Sequence, residues 1–326
     1  MARRIPTLLR AGLLLGVAGC GAVALFSVRG AQSGEGTAED AGAGVRCATR
    51  LSTALLGTSA TPELMASADP QSQVDALLAS PEFHERFARF VNRMFNEDPG
   101  MLPAEDASYF LAKKIIAEDL PWRDLFVGKY RVRQFTGTDG KPAAEVIADA
   151  EGLGYFRSPP WMKRYAGNEE AGYRLVSAYR IMQNTIGLEL VGVDSSPDID
   201  PTAEGRMAGD CRGCHYDGPF ALDLVAKVLS RRTGPDDDIS FVPPDEGPQT
   251  ILGGQTIAND AELITALTDS VDFKFRSCRL AFQFLYNRTE NQCEAELFDE
   301  CMTAFEESGQ MKAALRTVLT DPGFCE

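Results

Sequence analysis

Cys211-Arg212-Gly213-Cys214-His215 is the stretch of this sequence whose residue types and spacing most directly indicate chemistry. Two thiols separated by two residues can each add to one vinyl group of a haem, which forms two thioether bonds. The histidine that follows is placed to ligate the iron from the same side. The pattern therefore predicts one covalent haem c, attached through Cys211 and Cys214, with His215 as the proximal ligand. A redox dithiol or half of a zinc site is the alternative.

The ligand on the other side of the iron would decide the chemistry, and the sequence leaves it open. The chain has 2 histidines, so a second histidine ligand requires His84, whose charged helical surroundings favour a solvent-facing side chain. Met162 and Met207 are the candidate methionine ligands, because both are expected in loops near the haem motif. Buried packing is a common role for such residues. An open sixth position is the other alternative.

The N-terminus is typical of an exported protein. Three arginines fall within residues 1–10, and residues 11–28 carry no charge. Val17-Ala18-Gly19-Cys20 resembles a bacterial lipobox, in which Cys20 would be lipidated. The apolar run continues beyond Cys20, so a retained membrane anchor or cleavage near Ala31 remains an alternative. Each version places the rest of the chain outside the cytoplasm, in the periplasm or at the outer membrane and cell envelope, where disulfides persist.

Composition limits the classes of partner. The chain has 326 residues, 44% of them hydrophobic, and a formal charge of −15. These values describe an ordinary globular protein whose surface repels phosphate backbones, so nucleic acid is not an expected partner. A basic redox partner protein would suit this charge, and the N-terminal lipid or anchor would provide contact with a membrane.

The elements that must position the motif are expected to be helices. Thr61-Pro62-Glu63 and Ser80-Pro81-Glu82 each combine a hydroxyl N-cap, a proline at the first helical position and an acid in the first turn. No run of alternating residues predicts a strand, so the expected class is mainly α. Helices are expected at residues 104–119, 220–230, 260–268, 273–287, 291–308 and 311–319, with a turn at 136–141 and a long loop at 233–255.

Four segments follow from this pattern. They are a signal peptide or lipoprotein or membrane anchor at residues 1–30, a flexible linker at 31–44, an N-terminal helical region at 45–195 and a helical, cytochrome c-like haem region at 196–326. The linker assignment rests on its small and polar residues, and a Pro- and Asp-rich stretch before the motif separates the two helical regions.

The cysteines predict disulfides that staple the C-terminal bundle. Cys293 and Cys301 are too far apart along one helix to pair with each other. If successive helices form antiparallel hairpins, Cys278 faces Cys301 and Cys293 faces Cys325. These two pairs are therefore predicted. Cys47 is left over, either free or in place of one of these partners.

Several stretches around the motif add a family resemblance. They are Arg50-Leu51-Ser52, Leu55-Leu56-Gly57, Ala79-Ser80-Pro81-Glu82-Phe83 and Gly154-Tyr155-Phe156 before it, and Phe220-Ala221-Leu222, Gly253-Gly254 and Leu285-Tyr286-Asn287-Arg288 after it. With them the sequence resembles the secreted bacterial planctomycete-type cytochrome c proteins. The resemblance implies haem binding and electron transfer, and it implies no particular substrate. The family follows its motif with Asp-Pro-x-Gly, whereas Asp217-Gly218-Pro219 is shorter, so a different exposure of the haem edge is expected.

Three hypotheses of function follow. The first is a monohaem electron carrier that exchanges electrons through an exposed haem edge. The second is a haem enzyme or sensor with an open sixth iron position. The third is a structural or recognition protein of the cell envelope, in which the motif binds zinc or the haem has no redox role.

Overall fold

The computed structural model describes residues 38–96, 99–100, 106–158, 161, 165, 175–190, 200, 202–209, 211–218, 220–233 and 240–326. These residues form a mainly α-helical protein, as predicted. The helices are α1 (Ala38–Leu55), α2 (Pro62–Met65), α3 (Val74–Leu78), α4 (Pro81–Phe95), α5 (Ala107–Ala117), α6 (Asp124–Val127), α7 (Leu175–Ile186), α8 (Ala203–Arg206), α9 (Leu222–Lys227), α10 (Asp260–Thr268), α11 (Val271–Tyr286), α12 (Ala295–Ser308) and α13 (Met311–Thr320).

The predicted helix starts are present. Thr61 caps α2 by accepting a hydrogen bond from the Leu64 amide, and Ser80 caps α4 by accepting one from the Phe83 amide at 3.2 Å. Each side chain satisfies a backbone donor that the first helical turn leaves unpaired. Asn259 caps α10 in the same way, and this helix has the bounds that the sequence predicted.

Aromatic side chains connect the early helices to the late ones. Phe87 of α4 packs edge-on against Phe284 of α11, with ring centroids 5.1 Å apart. Phe126 of α6 meets Phe273 of α11 at 5.5 Å. From Gly36 onward the chain forms one compact unit. Residues of both predicted helical regions therefore contribute to the same core.

Three antiparallel hairpins were not predicted. Their strands are β1 (Tyr130–Thr136) with β2 (Pro142–Ala148), β3 (Arg231–Thr233) with β4 (Ser240–Val242), and β5 (Gln249–Ile251) with β6 (Gln255–Ile257). The expected turn at 136–141 joins β1 to β2. The prediction of a plain loop at 233–255 was wrong, because this stretch contains short strands. In β1 only Val132 is buried, so a two-stranded ribbon on the surface lacks the alternation that would reveal it.

One predicted disulfide is confirmed and the other was wrong. Cys278 and Cys301 are bonded, with their Cα atoms 6.0 Å apart, and they join α11 to α12. Cys325 pairs with Cys47 of α1 and not with Cys293. Phe324 is buried against Tyr286 and beneath the Arg50 guanidinium, so packing turns the chain end towards α1.

The predicted leader, including Cys20, and most of the predicted linker lie outside the described residues and stay predictions. None of the described helices is both long and apolar enough to cross a membrane. Helix α1 begins at Ala38, inside the predicted linker. Ala43, Ala48 and Ala54 fall within this helix, and alanine is the residue that favours helix most strongly.

Candidate functional site

The Cys-x-x-Cys-His motif lies on a short helical segment that changes its winding. Cys211 and Arg212 are helical, and a π-helical turn covers Gly213–Asp217. A side chain at position 218 would overlap the carbonyl oxygen of Gly213, so Gly218 is needed where the chain leaves the turn. π-Helical turns occur frequently at functional sites, because the wider winding redirects side chains.

Both motif cysteines are available for attachment. Cys211 and Cys214 are free thiols, and Cys214 is exposed while Cys211 is half-buried. The other described cysteines in the two disulfides are buried or nearly so, as structural cysteines usually are. A thioether bond requires a reduced thiol that another molecule can reach, and both residues meet that requirement.

A buried carboxylate holds His215. The Asp223 side chain is fully buried at the start of α9, and its Oδ2 lies 2.7 Å from Nδ1 of His215. Arg206 donates from Nε and Nη2 to the same carboxylate, with a shortest distance of 2.9 Å, and the Tyr216 hydroxyl donates to Oδ1 at 3.2 Å. A buried charge is costly unless it is paired and hydrogen-bonded, and here three side chains provide that compensation.

The chain reverses sharply between His215 and Asp223. Ala221, the residue before α9, has φ +38° and ψ +53°, in the left-handed region that non-glycine residues seldom occupy. Such a conformation costs on the order of 1–2 kcal/mol and persists only where the surroundings enforce it. Ala221 is buried, and the reversal allows α9 to present Asp223 to the histidine of the preceding turn.

The hydrogen bond to Asp223 determines which nitrogen of His215 is free. A carboxylate that also receives Arg206 is an acceptor, so Nδ1 of His215 carries a proton and donates it. In the neutral imidazole Nε2 then keeps its lone pair, and no described residue forms a hydrogen bond with this atom. Histidine ligands of metals typically have this arrangement, in which an outer carboxylate orients the ring and raises its basicity.

Met207, Met162 and His84 are the candidates for a second ligand to the expected haem iron, and the structure describes two of them. Met207 follows α8 directly, next to Arg206, and its side chain is 47% exposed. Met162 lies outside the described residues. His84 is half-buried on α4, and its Nε2 lies 3.2 Å from the carbonyl oxygen of Leu78. Burial and the nearby charge of Lys312 lower the pKa of His84. None of the neighbours named here is a partner of His215.

A preformed multidentate metal site is not found in the described part of the chain. Its residues contain no group of three or more His, Cys, Asp or Glu side chains arranged to hold a metal ion.

The residue that sequence reasoning missed is Asp223. It stands in Leu222-Asp223-Leu224-Val225, where one acid interrupts an apolar run on a short helix. An acid in such a run, 8 residues beyond a candidate ligand histidine, could have indicated a buried carboxylate partner for His215. Arg206 and Tyr216 carried no comparable signal, because their roles depend on the position of Asp223.

Comparison with known proteins gives no match, since no family model, no curated protein and no solved structure matches this chain.

Proposed function

We propose that this protein is a covalent c-type monohaem protein that transfers electrons outside the cytoplasm. Cys211 and Cys214 would hold the haem, and Nε2 of His215 would ligate its iron. The bound haem would supply one-electron redox chemistry. The protein's own residues attach it, orient the proximal ligand and adjust the electron density that this ligand donates.

The observation that carries the proposal is the hydrogen bond between His215 and Asp223. A redox dithiol needs no histidine fixed by a buried carboxylate, whereas a metal-ligating histidine usually has such a partner. Asp223 orients the ring of His215, and Arg206 in turn holds the carboxylate of Asp223 in place. Two reduced, accessible cysteines on the preceding turn complete the set of groups that haem attachment needs.

The location and partner belong to the same proposal. Export signalled by the N-terminal sequence would bring the chain to the compartment where haem c is attached, with Cys20 lipidation or an anchor holding it at a membrane. A formal charge of −15 would favour a basic redox partner protein through long-range attraction. The similarity to planctomycete-type cytochrome c proteins is part of the same proposal.

A haem enzyme or sensor with an open sixth position is the second candidate, and one observation favours it. A hydrogen bond to a charged carboxylate makes the proximal imidazole a stronger electron donor than a bond to a neutral carbonyl does. Strong proximal donation stabilises the oxidised iron, which suits haem proteins that bind or activate small molecules.

Replacement of the attachment cysteines tests the proposal. In cells with haem-maturation machinery, the wild-type chain should retain haem after denaturation, whereas Cys211→Ala with Cys214→Ala should lose covalent haem and keep its helical circular dichroism. The double variant Cys278→Ala with Cys301→Ala is the matched control, because it also removes two cysteines and should retain haem. Covalent haem in the first variant would contradict the proposal.

Absorption spectra of the same wild-type protein separate the two candidates. A low-spin spectrum in both oxidation states, unchanged by carbon monoxide, supports the electron carrier. A high-spin spectrum that changes with carbon monoxide or peroxide supports the enzyme or sensor.

A further inference from the structure

A cleft lined by four arginines lies between α1, α4 and the C-terminal end of α11. Arg46 and Arg50 project from α1, and Arg86 and Arg93 project from α4. The volume of this arginine cleft is about 660 Å³, which is the size of a site for a small organic ligand. No acidic residue lies among the described residues that line it.

The four arginines lack the ion pairs that other basic residues of this protein form. Arg89, on the same helix α4, binds Glu85 at 2.5 Å, whereas none of the cleft arginines forms an ion pair with a described carboxylate. The chain contains 47 acidic and 32 basic residues, so acids are abundant. Four cations without carboxylates in one cleft of an acidic protein repel each other unless an anion joins them.

Rings and a backbone carbonyl hold two of these arginines in place. The guanidinium of Arg50 lies 5.0 Å from the ring centroid of Phe324 and 5.7 Å from that of Tyr286. The guanidinium of Arg86 lies 5.9 Å from the Phe284 ring, and its Nε donates to the carbonyl oxygen of Ala54 at 3.2 Å. Cation–π contacts position these groups without neutralising them, which leaves their charge available to a ligand.

The wall beside the arginines is apolar. Phe90 and Phe284 meet edge to face in the cleft, with centroids 5.3 Å apart, and both line it. Burial and the charge of Arg93 lower the pKa of Arg86, which agrees with an uncompensated positive site. A ligand that contacts both the arginines and the apolar wall needs acidic groups and a flat apolar body.

We propose that the arginine cleft binds a small organic anion that carries two or more carboxylate or phosphate groups on an aromatic or flat apolar body. Arginine recognises both kinds of acid through paired, charge-assisted hydrogen bonds. The cleft shares no residue with the cluster of Cys211, His215 and Asp223. This binding is therefore independent of the proposed haem function.

Titration calorimetry of the full-length protein with two probes tests the proposal. Naphthalene-2,6-dicarboxylate and the bisphosphate ester of naphthalene-2,6-diol each carry two acidic groups and represent the two acid types. The probe that binds more tightly identifies the preferred acid type. At least one should bind, and the affinity should fall as NaCl rises, because salt screens the arginine charges. Naphthalene-2,6-dimethanol, which is neutral, should not bind. Absence of binding by both anions, or equal binding of the neutral compound, would overturn the proposal.

Two variants locate the binding. Arg46→Gln with Arg93→Gln changes two exposed side chains, so the fold should persist, and the affinity should fall at least tenfold. Arg89→Gln is the matched control, because Arg89 lies on the same helix but pairs with Glu85 outside the cleft, and its affinity should match the wild type. Unchanged affinity in the double variant, or an equal loss in Arg89→Gln, would contradict the proposed site.

Discussion

At the scale of single residues, Asp223 contacts the histidine of the Cys-x-x-Cys-His motif and should therefore influence the reduction potential of the proposed haem. The motif itself was evident from spacing, because the proposed haem attachment and proximal ligation would require residues that are neighbours in the chain. Asp223 was not evident, since its contact with His215 depends on the left-handed conformation of Ala221 and on burial of α9. The outer partner of a ligand is set by tertiary packing, which the local sequence pattern does not contain.

If the proposed haem is bound, Asp223→Asn should raise its reduction potential. The substitution keeps the shape of the side chain but removes the negative charge beside Nδ1 of His215, so the imidazole donates less electron density to the oxidised iron. We expect a positive shift of about 60 mV or more, which is tenfold in the equilibrium constant of a one-electron couple. Potentiometric titration followed by absorbance measures it.

Asp217→Asn is the control for this change. Asp217 lies in the same turn as His215 but is exposed and pairs with Arg212, not with His215. The reduction potential of the Asp217→Asn variant should stay close to that of the wild type. A shift of equal size in both variants would show a general effect of surface charge and would contradict the role of Asp223.

At the scale of elements, helices with capping signals were predictable and short ribbons were not. The bounds of α10 follow from Asn259 at its start and the end of its apolar pattern, both of which are local. The β1–β2 hairpin has little buried surface, so its strands carry no alternation. Helices with a capping residue and an apolar face can be predicted from the sequence. Strands that pair on the surface without burying one face cannot.

Glu85 connects α4 to α5, and its contacts make a pH-dependent contribution to the stability of the fold. Its carboxylate accepts hydrogen bonds from Tyr109 at 2.6 Å and from Lys113 at 2.8 Å, both on α5. Burial alone would raise the pKa of Glu85, but these hydrogen bonds and the charges of Lys113 and Arg89 lower it from 4.5 to about 2. The stabilisation is therefore complete above pH 4.5 and is lost as the pH falls towards 2.

Glu85→Gln should lower the free energy of unfolding at pH 7 and have little effect near pH 2. Because the Glu85 side chain is 32% exposed, solvent screening reduces the expected loss to on the order of 1–2 kcal/mol. Urea unfolding at several pH values measures the difference from the wild type. Glu307→Gln, at an exposed position of α12, is the control and should not reproduce this loss at pH 7. A loss in Glu85→Gln that stays constant from pH 7 to pH 2 would contradict this assignment.

At the scale of the whole molecule, the last residues close the fold onto its first helix. Gln71 donates through Nε2 to the carbonyl oxygens of Leu319 and Asp321, at 2.7 and 2.9 Å, where α13 ends. The Cys47–Cys325 bond then fixes this contact across 278 residues of sequence. The sequence patterns predicted pairs between adjacent helices, but packing of Phe324 and these hydrogen bonds determine where the chain end goes.

Removal of the long-range disulfide should cost more stability than removal of the short-range one. Cys47→Ala with Cys325→Ala should lower the free energy of unfolding by about 2–5 kcal/mol, because the released loop gains much conformational freedom in the unfolded chain. Cys278→Ala with Cys301→Ala opens a loop across only 23 residues and should cost less. Denaturant unfolding compares the two variants, and an equal or smaller loss in the first would contradict the entropic account.

The most direct test of covalent haem attachment is the intact mass of the wild-type chain, made with haem-maturation machinery and measured under denaturing conditions. The mass of the chain should increase by that of one haem, and proteolysis should locate the added mass on the peptide that contains Cys211 and Cys214. A chain without added mass, or with haem that separates on denaturation, would contradict the claim that this motif forms a covalent haem site.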